Sequence, residues 1–305
     1  MMKLDELQTA LRGDWAAFEL AGEQGFYATN LGNAIQVRVQ GARLVHFVLR
    51  SGSETARVVW QIDAGEWTSV ALNDGVDVVL PDAQAHTVTV MLQTAAHLWT
   101  LPNGFFLTDV TVDAGEVTAV VDEQVRVAFI GDSITAGARI LPNDENAPQL
   151  GYVTQVAAAL GVTAQSFAYG GIGVTPAAPI QTPTAIDALW HVGPDLMRPR
   201  TQVAAVVVNL GTNDSNYGAT EQQLRFGLRL LFLELVKRFH ETPVLILTPF
   251  NGKMTAVYAQ EAARFAHLKV IDTRDWHISP DRVHPNAAEQ ARAAKLLAPH
   301  LAAIL

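Results

Sequence analysis

The spacing of apolar residues in this 305-residue chain changes once, near Asp122, and that change limits the folds open to it. Before it, apolar and polar residues alternate. Ile35, Val37 and Val39 are separated by Gln36, Arg38 and Gln40, which puts the apolar set on one face of a strand. Similar runs follow at 44–49, 57–62, 87–92 and 105–112, divided by turn signals such as Asp63-Ala64-Gly65 and Asn73-Asp74-Gly75. The pattern predicts an antiparallel β-sandwich of jelly-roll type over residues 1–121. Beyond Asp122 the runs are short, β-branched and almost continuously apolar, as in strands covered on both faces. They lie at 125–130, 162–167, 203–210, 244–247 and 269–271, and longer helical stretches separate them. In Thr220 to Phe239, Leu224, Leu228, Leu231 and Leu235 recur at helical spacing opposite Arg225, Arg229 and Lys237. A second helix follows Pro285. Five strands alternating with helices predict a three-layer α/β/α domain around a parallel sheet over residues 122–305, with active residues beyond the C-terminal strand ends.

Composition excludes several classes. The chain has no Cys, so disulfide scaffolds, thiolate metal sites and cysteine nucleophiles drop out. Residues 1–121 hold 6 Lys/Arg against 14 Asp/Glu, whereas the remainder holds 15 against 16. The acidity therefore belongs to the first domain, and the pI near 5.4 argues against nucleic acid or an anionic membrane as partner. The acidic start carries no secretory pattern and no apolar run approaches the roughly 20 residues of a membrane span, so a cytoplasmic protein is expected. A homo-oligomer is left open. No phosphate loop, dinucleotide fingerprint or His-Glu-x-x-His motif occurs.

Four blocks at strand ends carry the chemistry. The first strand runs into Gly131-Asp132-Ser133-Ile134-Thr135-Ala136-Gly137, where Ser133 sits at the strand tip. Read alone, Asp132 or Ser133 would cap the following helix. The second strand runs into Tyr169-Gly170-Gly171-Ile172-Gly173, and the third into Asn209-Leu210-Gly211-Thr212-Asn213-Asp214. The last block, Asp281-Arg282-Val283-His284-Pro285, sets a carboxylate three residues before a histidine. A serine hydroxyl needs an imidazole to accept its proton and a carboxylate to orient that imidazole.

In this order the blocks resemble the SGNH (GDSL-type) hydrolases over roughly residues 125–300. The resemblance implies a flavodoxin-like fold, Ser133 as nucleophile, His284 as general base and then acid, and Asp281 as the residue that orients His284. It also implies an oxyanion hole from the backbone N–H groups of Ser133 and Gly171 and the side-chain amide of Asn213, with no metal or cofactor. The β-domain placed ahead of this unit is similar to the plan of the family two carbohydrate esterases, which remove acetyl groups from sugars. The chain departs from that subfamily at Ala136 and Ala138, where members often carry a Cys and an aromatic residue. The nucleophile elbow Gly-x-Ser-x-Gly of α/β-hydrolases is absent.

The expectation is a serine esterase acting on short, acetyl-type esters, with a small-molecule ester or acetylated saccharide as substrate. A lipase, lysophospholipase or thioesterase of the same superfamily is the alternative among enzymes, and a non-catalytic glycan-binding protein the alternative outside them. Trp190, behind Pro176, Pro179 and Pro183, is the candidate substrate wall, and Tyr217 a candidate pocket residue. Asp132 and Asp214 read as braces of their turns, and His277 as a structural histidine.

Overall fold

The computed structural model describes residues 2–279 and 282–305. It divides into two compact units, residues 1–123 with 191–199, and residues 124–190 with 200–305.

The first unit is a β-sandwich. One antiparallel sheet runs Leu11–Arg12, Ala34–Gln40, His86–Thr94, Arg57–Ile62, Thr68–Ala71, with Glu116–Ala119 paired to the far part of Ala34–Gln40. The other runs Ala16–Leu20, Glu23–Ala28, Phe105–Val112, Leu44–Ser51, Val76–Val79. The alternating residues meet in one core, with Val37, Val39, Val88 and Val90 from the first sheet and Val45, Phe47, Leu49 and Phe105 from the second. Each of these is fully buried, which fixes the register because a one-residue slip would turn a whole set toward water.

The hairpin His191–Gly193/Leu196–Met197 belongs to this unit, although it lies in the sequence between two strands of the second. Its anchor is Arg198. That fully buried guanidinium pairs with Asp14, and it donates to Asn30 Oδ1 at 3.0 Å and to the His191 carbonyl at 2.8 Å. Val192 packs beside it with Tyr27 and Phe106. A buried charge is tolerable only when paired and hydrogen-bonded, and this one is both. Of the residues expected in one unit over 122–305, residues 122–123 and 191–199 thus group with the first unit.

The second unit holds five parallel strands, β1 (Val125–Gly131), β2 (Val162–Ala168), β3 (Ala205–Asn209), β4 (Val244–Leu247) and β5 (Leu268–Ile271), in the order β2-β1-β3-β4-β5. Every residue of β3 and β4 is buried, which accounts for their uninterrupted apolar spelling. The helices are α1 (Tyr152–Leu160), α2 (Ala185–Trp190), α3 (Thr212–Asn216), α4 (Glu221–Phe239), α5 (Thr255–Ala262) and α6 (Ala287–Ala302). Two helices begin at capping boxes. Thr220 accepts from Gln223 N ahead of α4, and Asn286 from Glu289 N ahead of α6. On α4, Leu224, Leu228, Leu231 and Leu235 form the buried stripe. The strand order reverses direction between β1 and its neighbours, so the chain leaves β1 toward β2 on one side and passes from β3 to β4 on the other. The two departing connections open a crevice over the tips of β1 and β3, where ligands bind in open α/β sheets.

Candidate active site

Ser133 stands on the turn that leaves β1. The Asp132 carboxylate accepts from Ile134 N at 2.9 Å, and Ala136 N donates to the Asp132 carbonyl at 3.0 Å, closing a helical turn directly after the strand. Asp132, not Ser133, takes the capping role, which leaves the Ser133 hydroxyl for another partner. Gly131 is required by close approach. A Cβ there would lie 2.0 Å from Thr135 Oγ1 and 2.9 Å from the Asn209 carbonyl. The Thr135 hydroxyl is itself held by Tyr152 Oη at 2.9 Å.

The partner of Ser133 is His284. Its Nε2 lies 2.9 Å from Ser133 Oγ, within proton-transfer distance. These residues stand 151 positions apart in sequence and come together because the loop before α6 and the tip of β1 share one end of the sheet. His284 is half-buried, and burial, reinforced by the positive charges of Arg139 and Arg282 and opposed by Asp144, lowers its pKa below the usual histidine value. All these effects except the last disfavour the imidazolium, so the ring is held neutral and ready to accept a proton. The expected orienting carboxylate, Asp281, lies outside the described residues.

The oxyanion candidates converge beside this pair. Gly171 has a φ of +77°, and a Cβ at the preceding Gly170 would lie 3.9 Å from Ser133 Cβ, so the glycine turn after β2 runs next to the serine. Asn213 is buried at the start of α3. Its Nδ2 donates to the Ile172 carbonyl at 2.8 Å, and its other proton meets only a long contact, 3.4 Å, with Asp132 Oδ2. One proton fixes the amide against the glycine turn; the other is available to a developing oxyanion. Asp214 braces the same turn by accepting from Val174 N at 3.1 Å and Thr175 N at 2.7 Å. Two buried carboxylates thus sit behind the site. Burial, together with the Asp214 charge, raises the Asp132 pKa from 3.8 to about 7.

Of the two aromatic candidates, Trp190 falls elsewhere. Trp190 ends α2, where its indole donates to Glu234 Oε2 at 2.8 Å and carries the guanidinium of Arg238 5.2 Å from its ring centroid, with Arg200 and Lys237 also over the ring. Its partners on α4 lie in the last two turns, the end that feeds the start of β4, so the indole is held away from the strand tips that carry Ser133. As a substrate wall Trp190 is misplaced, because cation–π and hydrogen-bond partners on α4 claim it. Tyr217 follows α3 with its N–H on the Asn213 carbonyl, and its side chain is 61% exposed. His277 has an exposed ring and lines the cleft described below, where no motif marked it. Sequence reasoning also missed Arg139, Arg282 and Asp144, whose charges act on His284 from positions that follow no spacing rule.

A model of the GDSL-like lipase/acylhydrolase family matches residues 129–292, the segment that carries Ser133, Gly171, Asn213 and His284. The chain belongs to that family. As a GDSL-like acylhydrolase it is a carboxylic ester hydrolase by class. No curated protein matches the sequence. Among solved structures it is similar to a family two carbohydrate esterase from Cellvibrio japonicus, at 18% identity and a TM-score of 0.85 over 98% of this chain and 96% of that one. It is similar also to an acetyl xylan esterase from the rumen bacterium Butyrivibrio proteoclasticus, at 15% identity and a TM-score of 0.74 over 96% and 95% of the two chains. A salicylyl-acyltransferase from a tetracycline biosynthetic pathway shares the fold at 18% identity and a TM-score of 0.67, covering 96% of this chain and 95% of its own. At such identities the likeness speaks for the two-domain fold, so the chemistry has to be argued from the GDSL-like site itself.

Proposed function

We propose that the protein is a serine esterase that removes acetyl groups from a hydroxylated carbohydrate through an acyl-enzyme. The observation that carries this reading is the 2.9 Å contact between His284 Nε2 and Ser133 Oγ at the tip of β1. In the first step Ser133 Oγ bonds to the acetyl carbonyl carbon while its proton passes to His284 Nε2. The oxyanion is met by the Ser133 and Gly171 N–H groups and by the second proton of Asn213 Nδ2. As the tetrahedral intermediate collapses, the ester C–O bond breaks and His284 returns the proton to the leaving sugar hydroxyl. Water then repeats the sequence on the acetyl-enzyme, releasing acetate and restoring Ser133. Asp281, as the resemblance to the GDSL-type hydrolases implies, is assigned the role of orienting the imidazole through Nδ1. Likeness of fold to carbohydrate esterases supports the sugar, and the Gly131-to-Gly137 block supports the nucleophile.

The test is a chain-length series of p-nitrophenyl esters with wild type and Ser133→Ala. Acetate should turn over faster than butyrate or octanoate, and the variant should lose turnover by several orders of magnitude, since the members of such a unit act together. Better turnover of octanoate would replace the acetyl reading with a lipase-type one. Retained activity in Ser133→Ala would remove the mechanism.

A further inference from the structure

A cleft of about 530 Å³ opens beside the Ser133–His284 pair, over the tips of β3, β4 and β5. Its lining includes Ile134, Thr212 and Val283, the immediate chain neighbours of Ser133, Asn213 and His284, so the cleft is walled by the same three segments that carry the site. The rest of its wall mixes neutral groups, among them Asn216, Asn251, Phe250 and Ser279, with three cations. Lys253, Arg274 and Arg282 line it, and no described Asp or Glu does. That composition runs against the chain as a whole, whose 30 acidic residues outnumber 21 basic ones.

The state of the three cations decides what the cleft can hold. Arg274 is tied through Nε and one terminal nitrogen to Asp272, and Arg282 through one terminal nitrogen to Glu289, carboxylates that stand outside the lining. Both guanidinium groups keep further donors. Lys253 is different, because its ammonium donates to the neutral Asn216 Oδ1 at 3.0 Å and has no carboxylate partner among the described residues. The Asn216 amide that receives it is also approached by Asn251 Nδ2 at 3.3 Å, so a polar floor positions the charge. A concave wall with one sign of charge concentrates ligands of the other sign.

We infer that the alcohol part of the natural substrate carries an anionic oxygen group, carboxylate or phosphate, which Lys253 and Arg274 bind in this cleft. The inference rests on the acetyl-ester reading above. An acetyl group has no room for a second charge, so the anion must belong to the sugar that leaves.

Three acetylated substrates separate the outcomes: a methyl glucuronoside, the neutral methyl glucoside and glucose 6-phosphate. The anionic esters should show kcat/KM about tenfold above the neutral one, chiefly through KM, and 0.5 M NaCl should shrink the advantage by screening it. Whichever anionic ester leads identifies carboxylate or phosphate as the group. In Lys253→Glu the anionic-to-neutral ratio should fall at least tenfold; the side chain is exposed, so folding is not at stake. Equal or better turnover of the neutral ester, or a ratio unchanged in Lys253→Glu, overturns the inference while leaving the esterase reading intact. Failure to hydrolyse all three and p-nitrophenyl acetate overturns the esterase reading, and this inference with it.

Discussion

Replacing Asp132 by Asn should change how the stability of the protein depends on pH. The Asp132 carboxyl is completely buried behind the nucleophile turn, with Ile134 N as its close donor and the Asp214 charge nearby. Desolvation, and secondarily Asp214, raises its pKa from 3.8 to about 7. The folded protein therefore keeps a proton that the unfolded chain releases. The contribution of this group to folding is complete below about pH 4 and is lost as pH rises through about 7. Roughly three units at about 1.36 kcal/mol each make the whole loss about 4 kcal/mol, of which about 3 kcal/mol falls between pH 4.5 and 8. Asn carries no proton to lose. Its amide oxygen can still accept from Ile134 N, and any fixed cost of placing its NH2 near Asn213 is the same at both pH values. Urea unfolding of wild type and Asp132→Asn at pH 4.5 and 8 supplies four free energies. The pH-dependent loss should be smaller in the variant by about 3 kcal/mol, because the other titrating groups are common to both proteins. An equal loss in the two proteins would refute the argument that burial behind Ser133 raises the Asp132 pKa.

Two further outcomes bear on the chemistry. Asn213→Ala should lower kcat about 10²- to 10³-fold, with a stability cost of only about 1 kcal/mol from the lost bond to the Ile172 carbonyl; steady-state kinetics within threefold of wild type would take Asn213 out of the oxyanion hole. Arg139→Gln removes a positive charge that opposes protonation of His284, so the acid limb of the kcat/KM profile should move to higher pH; an unmoved limb would show that Arg139 does not act on the base.

How much was legible in the sequence varies with the physics of each element. The five parallel strands of the second unit could be read because burial on both faces forces continuous apolar runs such as Val-Leu-Ile-Leu at β4. In the first unit Thr68–Ala71 escaped notice, because as an edge strand it is almost wholly exposed and its residues follow no apolar pattern. The hairpin Ala16–Leu20/Glu23–Ala28 turns on Ala21 and Gly22, both at positive φ, and an Ala in that position sends no turn signal. Trp190 was read from its place in the chain as a residue over the crevice. Its position is set by Glu234 and the cations of α4, which no local pattern announces.

The net charge of -9 likewise concealed a local fact, since the cleft beside Ser133 gathers Lys253, Arg274 and Arg282 from loops after β4 and β5. Sequence alone supplied the change of hydrophobic period that separates a β-rich part from a parallel α/β sheet, because period is a local property of the chain, and its strand-end motifs, through their resemblance to the GDSL-type hydrolases, pointed to Ser133, Gly171, Asn213 and His284 as a candidate set. Only the tertiary structure decided that Ser133 and His284 touch, that Asp132 is buried enough to hold its proton to about pH 7, and which charges face the cleft. Distance, desolvation and electrostatic environment arise between segments that are far apart in the chain, and no window of the sequence contains them.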